Sequence, residues 1–369
     1  MPDRNRQSVT RSPGGRHGRF TDGPEGPFSE FTSFVGKVAD IVGSGDNAPF
    51  RVDKFSVEGG VINKPYVGYF SSWFENFNCD YVQSLYNGID HLGVDTMGTV
   101  EAATRGAART NPSRPSVDMP SELLQLHQLP DLIRQAGQNE LGRVGGANLG
   151  YQFGLRPILN DANTLFDIHH LVKSRTDELI RAERQGGIKR TVIVDAGSAQ
   201  ESINTFLQTD GLFIRENVDW WTGETVKVHA RWMPDGSYAP LGQSNHDLYV
   251  LGKRALRAVT GGIIDASTAW EIIPWSWLAD YYSNMSDYFA ASRNIVGLVL
   301  ADVAVMRHTV TKVQFGGING SDFTFSAFSG RWETKTRKTS FVAPQLSSES
   351  FLNTNQMGIL ASLAATRYT

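Results

Sequence analysis

The chain has 369 residues, 40% of them hydrophobic and 20% charged, a balance that excludes a disordered polypeptide and allows a large core. Its formal charge of −3 excludes a surface coated uniformly with cations, while leaving room for local basic faces. Cys79 is the single cysteine, so no disulfide within the chain and no four-cysteine zinc site can form.

Residues 1–27 read as a flexible basic arm. Arg4, Arg6, Arg11, Arg16 and Arg19 stand against Asp3 alone up to Phe20, and the surrounding Gly, Pro and Ser offer little apolar surface to bury. Such an arm either floats in solvent or lies along RNA. Residues 28–119 form a β-rich segment plus linker, with FRVDKFSV and VINKPYVGYFSSWF divided by Gly59-Gly60 and Pro65. The run Gly43 to Ala48 matches a dinucleotide-binding fingerprint in form only. Pro49 follows at once, and no helical pattern opens there.

Residues 120–186 turn helical. SELLQLHQL runs into Pro130, DLIRQAGQNELGR resumes the pattern, and Pro157 opens a helix to about Gln185, roughly 40 Å long. Arg175, Arg181 and Arg184 crowd its C-terminal half, where positive charge complements the helix dipole, and Lys189 and Arg190 follow. Residues 187–248 read as short alternating strands, TVIVDAG, TFLQT, LFIRENVDWW and ETVKVHARWM. Residues 249–296 are helical again, with Lys253, Arg254 and Arg257 near their start.

The stretch Ala269 to Phe289 holds Trp270, Trp275 and Trp277. Pro274 suits the first turn of a helix, and Trp277, Leu278, Tyr281, Tyr282, Met285, Tyr288 and Phe289 fall on one arc of roughly 140°. A core helix with an aromatic face is the plain reading. The run Ile295 to Met306 is interrupted by Asp302 and too short to span a bilayer. Residues 297–347 return to strands, and 348–369 form a C-terminal helix that joins the helical body. The fold class expected is α+β: an elongated molecule with a helical bundle body and a separate, largely antiparallel β-sheet region.

Chemistry is sparse. There is no G-x-S-x-G elbow, no phosphate-binding G-x-x-x-x-G-K-[ST] loop and no H-E-x-x-H, so no enzyme, cofactor or metal is expected. His169 and His170 are adjacent on a helix and point about 100° apart, which prevents them from sharing a metal easily. Glu271 and Asp280 could form a glycosidase pair only if the fold brought them together. Trp220, Trp221 and Trp232 suggest the alternative function, a β-rich carbohydrate-binding or glycosidase-like protein.

Two segments carry a family resemblance. WEIIPWSWLADYYSN, with Trp270, Glu271, Pro274, Trp277 and Asp280, resembles the W-E-x-x-P-[FYW]-S-[FW]-x-x-D-[WY] segment of maturation (A) proteins of single-stranded RNA bacteriophages. LGYQFGLRPILND, with Tyr151, Gly154, Pro157 and Asp161, resembles that family's Y-x-[FY]-G-x-x-P-[IL]-x-x-D segment, in the same order. The resemblance covers about residues 120–170 and 252–285. It implies a virion protein, made in the bacterial cytoplasm, that occupies the place of one coat-protein dimer. A helical region grips a stem-loop near the 3′ end of the genomic RNA, and a β region binds a host pilus through its pilin. On that basis the RNA contacts expected are Arg175, Arg181, Arg184, Lys189, Arg190, Lys253, Arg254 and Arg257. Receptor contacts are expected in tip loops near Pro234, Asp235, Tyr238, Asn319 and Asp322, and no membrane span is expected.

Overall fold

The structure, a computed structural model, describes residues 3–19, 26–41, 47–65, 72–88, 90–116, 168–235, 245–261, 265–273, 280, 283–346 and 358. Its strands are β1 (Asp3–Gly18), β2 (Phe28–Ile41), β3 (Phe50–Gly59), β4 (Val61–Lys64), β5 (Trp73–Asn78), β6 (Ile188–Thr209), β7 (Leu212–Pro234), β8 (Leu298–Phe315), β9 (Ile318–Asn319), β10 (Thr324–Phe325) and β11 (Phe328–Ser340). The helices among the described residues are α1 (Asp80–Gly88), α2 (Thr99–Thr110), α3 (Ile168–Gln185), α4 (Asn245–Thr260), α5 (Ala266–Ile272) and α6 (Met285–Ser292). All the strands belong to one sheet, in the order β6-β7-β8-β11-β3-β2-β1-β5-β4-β10-β9.

This corrects the expected fold class. The protein is β-rich, 54% strand against 24% helix, and is organised on a single 11-stranded antiparallel sheet in place of a helical bundle body. The physical reason lies in the length of the strands. What reads as a series of short runs after Gly187 is one hairpin of 22 and 23 residues, turning at Asp210-Gly211, where Gly211 takes φ +85°. The helices that were expected to bury one another cover strand residues as well.

A second correction concerns the N-terminus. Asp3–Gly18 is no loose arm but strand β1, paired with β2 from Asp3↔Ile41 to Arg16↔Phe28 and with β5 at Arg16↔Glu75. Its arginines meet acids across the strand pairs: Arg4 with Asp40, Arg11 with Glu30, Arg16 with Glu75, and Arg19, just past the strand, with Asp210.

The chain divides into two compact units. Unit 1 comprises 1–96, 193–227 and 304–339; unit 2 comprises 97–192, 228–303 and 340–369. Unit 1 has a core of branched and aromatic side chains, including Phe31, Phe55, Ile62, Phe74, Phe77, Val82, Leu207, Val313 and Phe325. The strand residues among these share one face of the sheet, and Val82 of α1 packs onto it. Toward one end of that face the core gives way to a polar seam beneath residues 90–96. His91 bonds Thr311 Oγ1 through Nδ1 (2.7 Å) and Thr334 Oγ1 through Nε2 (2.9 Å). Glu224 accepts from Thr96 (2.6 Å), Arg307 (2.5 Å) and Thr309 (2.8 Å). Burial alone would raise the Glu224 carboxyl, but these hydrogen bonds and the Arg307 charge outweigh it and hold it below the usual range.

Unit 2 is built differently. Its core contains Ala107, Ala108, Ala182, Ala230, Ala255, Ala258 and Ala291, with Leu179, Leu251 and Trp232 among them. Small side chains let backbones approach closely, and α2 is the extreme case. A Cβ placed on Gly106 would fall inside the Val228 side chain. The indole of Trp232, 1% exposed, donates to Thr110 Oγ1 at 3.3 Å. Asn111, fully buried, donates to the carbonyls of Ala290 (2.9 Å) and Arg293 (2.8 Å), satisfying the end of α6.

Candidate nucleic-acid interface

Helix α3 (IHHLVKSRTDELIRAERQ) buries Leu179 and Ala182 and leaves Lys173, Asp177, Arg181 and Arg184 exposed. Lys173, Asp177, Arg181 and Arg184 follow one another at intervals of four, four and three residues, so they form a single stripe along the helix. Gly186 at φ +68° ends the helix, and the Gly187 amide closes on the Ala182 carbonyl at 2.7 Å. The chain then enters β6 at Ile188. Helix α4 packs against α3 and buries Leu251, Ala255, Ala258 and Val259, while Lys253, Leu256 and Arg257 face solvent.

The eight expected RNA-contacting cations separate into distinct roles. Arg175 and Arg190 share Glu178: Arg175 Nη1 reaches Oε2 at 3.1 Å, and Arg190 Nε reaches Oε1 at 3.1 Å. Arg190 also donates to the Thr110 carbonyl at 2.8 Å, so this triad joins α3, the start of β6 and the end of α2. Burial pushes the Arg175 guanidinium down from its usual range, with Arg190 adding to the shift and Glu178 opposing it. The structure thus uses these two arginines to hold unit 2 together. Lys189, Lys253 and Arg254 make interactions within the protein. Arg181 is exposed and donates to the Asp177 carbonyl at 3.3 Å. Arg184 and Arg257 are exposed and have no hydrogen bond or ion pair among the described residues. Lys173, which sequence reasoning passed over, belongs to the same stripe. Its spacing from Arg181 and Arg184 was the signal that could have found it.

The expected tip residues do not form one cluster within a unit. Pro234 and Asp235 belong to unit 2, where the Asp235 amide donates to the Gly297 carbonyl at 2.9 Å. Asn319 and Asp322 belong to unit 1, at the exposed turn between β9 and β10. Tyr238 lies outside the described residues, as do Tyr151, Gly154, Pro157, Asp161, Pro274 and Trp277.

Trp270 and Asp280, both in the resembling segment 270–284, meet directly. The Trp270 indole donates to both carboxylate oxygens at 3.2 Å, and Asp280 Oδ1 also accepts from the Ser286 amide at 3.1 Å in the first turn of α6. Burial raises the Asp280 carboxyl above its usual range. Trp270 packs on Phe289 with ring centroids 5.7 Å apart. Asp280 thus joins α5 to the first turn of α6. The side chain of Glu271, its partner in the expected glycosidase pair, lies outside the described residues. The tryptophans behind the carbohydrate alternative also need correction. Trp232 is buried and Trp220 packs against the unit 1 core, while Trp221, 37% exposed, lies beneath the Lys312 ammonium at 5.2 Å. Among the described residues no group of His, Cys, Asp and Glu is arranged to hold a metal, and no helix is long and apolar enough to cross a membrane. No family model matches this chain, and no curated protein matches it.

Proposed function

We propose that this chain is a virion maturation and attachment protein of an RNA phage, and that it holds single-stranded genomic RNA through the exposed cations of α3 and α4. The observation that carries this reading is the stripe Lys173, Arg181 and Arg184 on α3, on a helix packed against α4 with its exposed Lys253 and Arg257. Concentrated cations on two neighbouring helices in a chain of net charge −3 suit phosphate contacts at a folded RNA element. The ordered pair of resembling segments supplies the virion context: one copy in place of a coat-protein dimer, a 3′-region stem-loop as the RNA, and a host pilus as receptor. The exposed turn at Asn319–Asp322 in unit 1 is the favoured receptor-facing loop.

The test is the double charge reversal Arg184→Glu with Arg257→Glu, two exposed positions whose side chains make no hydrogen bond or ion pair among the described residues. Binding of the phage 3′-region stem-loop should weaken, and the slope of log affinity against log salt should flatten by about 0.7–0.9 for each phosphate no longer neutralised. A folded double variant with wild-type affinity and slope would refute the assignment.

A further inference from the structure

Unit 1 holds a second cationic feature, on the sheet face formed by β1, β2 and β3. Two adjacent rungs run across these strands in register: Asn5 with Ala39 and Arg51, and Gln7 with Lys37 and Asp53. In-register partners, and residues two apart along a strand, share a face. Ala39, the smallest of the six, leaves a hollow of about 380 Å³ among them, which Arg6 and Val38 also line. Asp53 is already engaged. Arg51 grips both its oxygens (2.6 and 3.1 Å), and Thr334 donates to Oδ1 at 2.9 Å. Lys37 is exposed, and neither its ammonium nor the carboxamides of Asn5 and Gln7 have a hydrogen bond or ion pair among the described residues.

From this we infer that the hollow binds a single carboxylate presented by a partner protein, an aspartate or glutamate side chain on an exposed segment. Lys37 supplies the charge, Asn5 and Gln7 supply amide donors on either side, and Ala39 makes the floor. The surroundings favour an isolated acidic side chain over a nucleic-acid backbone. Phosphate chains need a track of cations, yet the neighbouring arginines of β1 share their charge with acids: Arg4 closely and Arg6 at 4.0 Å with Asp40, and Arg11 with Glu30. No aromatic ring lines the hollow on which an unpaired base could stack. The inference stands apart from the RNA reading, which concerns helices of unit 2.

Three labelled probes test it on the full chain: a hexapeptide with two glutamates, the same peptide with glutamines, and a hexauridylate, each followed by fluorescence anisotropy. The glutamate peptide should bind saturably and the glutamine peptide should not. Lys37→Gln should weaken the glutamate peptide about tenfold, as expected when one charge-assisted hydrogen bond is removed. Ala39→Leu fills the hollow without altering charge and should weaken it to a similar degree. Both positions are exposed, so an unchanged melting temperature is expected for each. Three results would overturn the inference: no saturable binding of the glutamate peptide, retained binding in Ala39→Leu, or a parallel loss of hexauridylate binding, which would make the site a phosphate contact.

Discussion

The two units solve the problem of filling a core with opposite materials. Unit 1 packs large rings, Phe74 against Phe77 at 5.7 Å and Phe315 against Phe325 at 5.2 Å, then finishes its sheet face with a satisfied polar seam. Among its described residues unit 2 packs seven alanines with a few aliphatic side chains around Trp232, and brings Gly106 and Gly187 into close approach with the neighbouring chain. Large side chains tolerate small adjustments because rotamers can shift, whereas an interface made by backbones in near contact has nothing to move. Unit 2 should therefore be the more brittle of the two.

The largest expected effect follows from that contrast. Among the described residues Trp232 is the largest fully buried side chain, and the alanines that make up about half of its cluster have no rotamers with which to fill its place. Trp232→Ala should cost roughly 3–5 kcal/mol in denaturant unfolding, and it leaves Thr110 without its indole donor. A cost below about 2 kcal/mol would mean that the alanine core relaxes freely, contrary to the brittleness argued above.

A matched pair of glycine substitutions sharpens the same point. Gly106→Ala drives a methyl into Val228 and should destabilise by about 1–3 kcal/mol. Gly330→Ala, in β11 of unit 1, places its methyl 3.7 Å from Leu85 Cδ1 and Val313 Cβ, ordinary contact distances. That change should be neutral or stabilise by about 0.4–1 kcal/mol through the stiffer unfolded chain. Equal effects at the two sites would break the comparison.

The contrast also explains what could be read in advance. Strand-forming alternation in FRVDKFSV and ETVKVHARWM is visible because it rests on large apolar residues, and both segments are strands. Helix α2 escapes because TVEAATRGAART has no large apolar stripe; its buried residues are alanines, threonines, Gly106 and Glu101. Strand β1 escapes for another reason. Composition counts its arginines, but the acids that neutralise Arg4, Arg16 and Arg19 lie 36, 59 and 191 residues away. In the candidate interface, helical spacing singles out Arg181, Arg184 and Arg257. It cannot show that Arg175 and Arg190 close on Glu178, since Arg190 sits on a strand. The Trp270–Asp280 bond was hidden because ten residues separate the two and a helix boundary intervenes.

Acid should pull the units in opposite directions. Glu224 in unit 1 is held below its usual value, so its favourable contribution is complete above the ordinary glutamate range and disappears as pH falls through the lowered value. Asp280 in unit 2 is raised, so its ionisation opposes folding. That penalty is absent below the ordinary aspartate range and sets in as pH climbs to the raised value. The stability advantage of the wild type over Glu224→Gln should therefore shrink on acidification from about pH 7 to about pH 4. Its difference from Asp280→Asn should move in the wild type's favour over the same range. Parallel slopes for the two variants would show that one of the two carboxyls sits in the other's kind of environment.

The smallest perturbation is a chemical one, confined to unit 1. Cys79 is fully buried, its thiol bonded weakly to the Gln208 carbonyl at 3.6 Å, and burial pushes its pKa up to about 11. At about pH 8 a group with that pKa is on the order of one part in a thousand thiolate even before access is considered. A thiol reagent should leave the native protein unmodified over minutes and label it stoichiometrically in denaturant. Because Cys79 packs with Phe77, Val82 and Leu207 in the large-side-chain core, its slow native labelling measures how often that core opens. Gly330→Ala should slow the labelling and Glu224→Gln should speed it, since both act within the same unit. Fast labelling of the untreated protein would show that the ring-packed core opens readily, contrary to the close packing that buries Cys79.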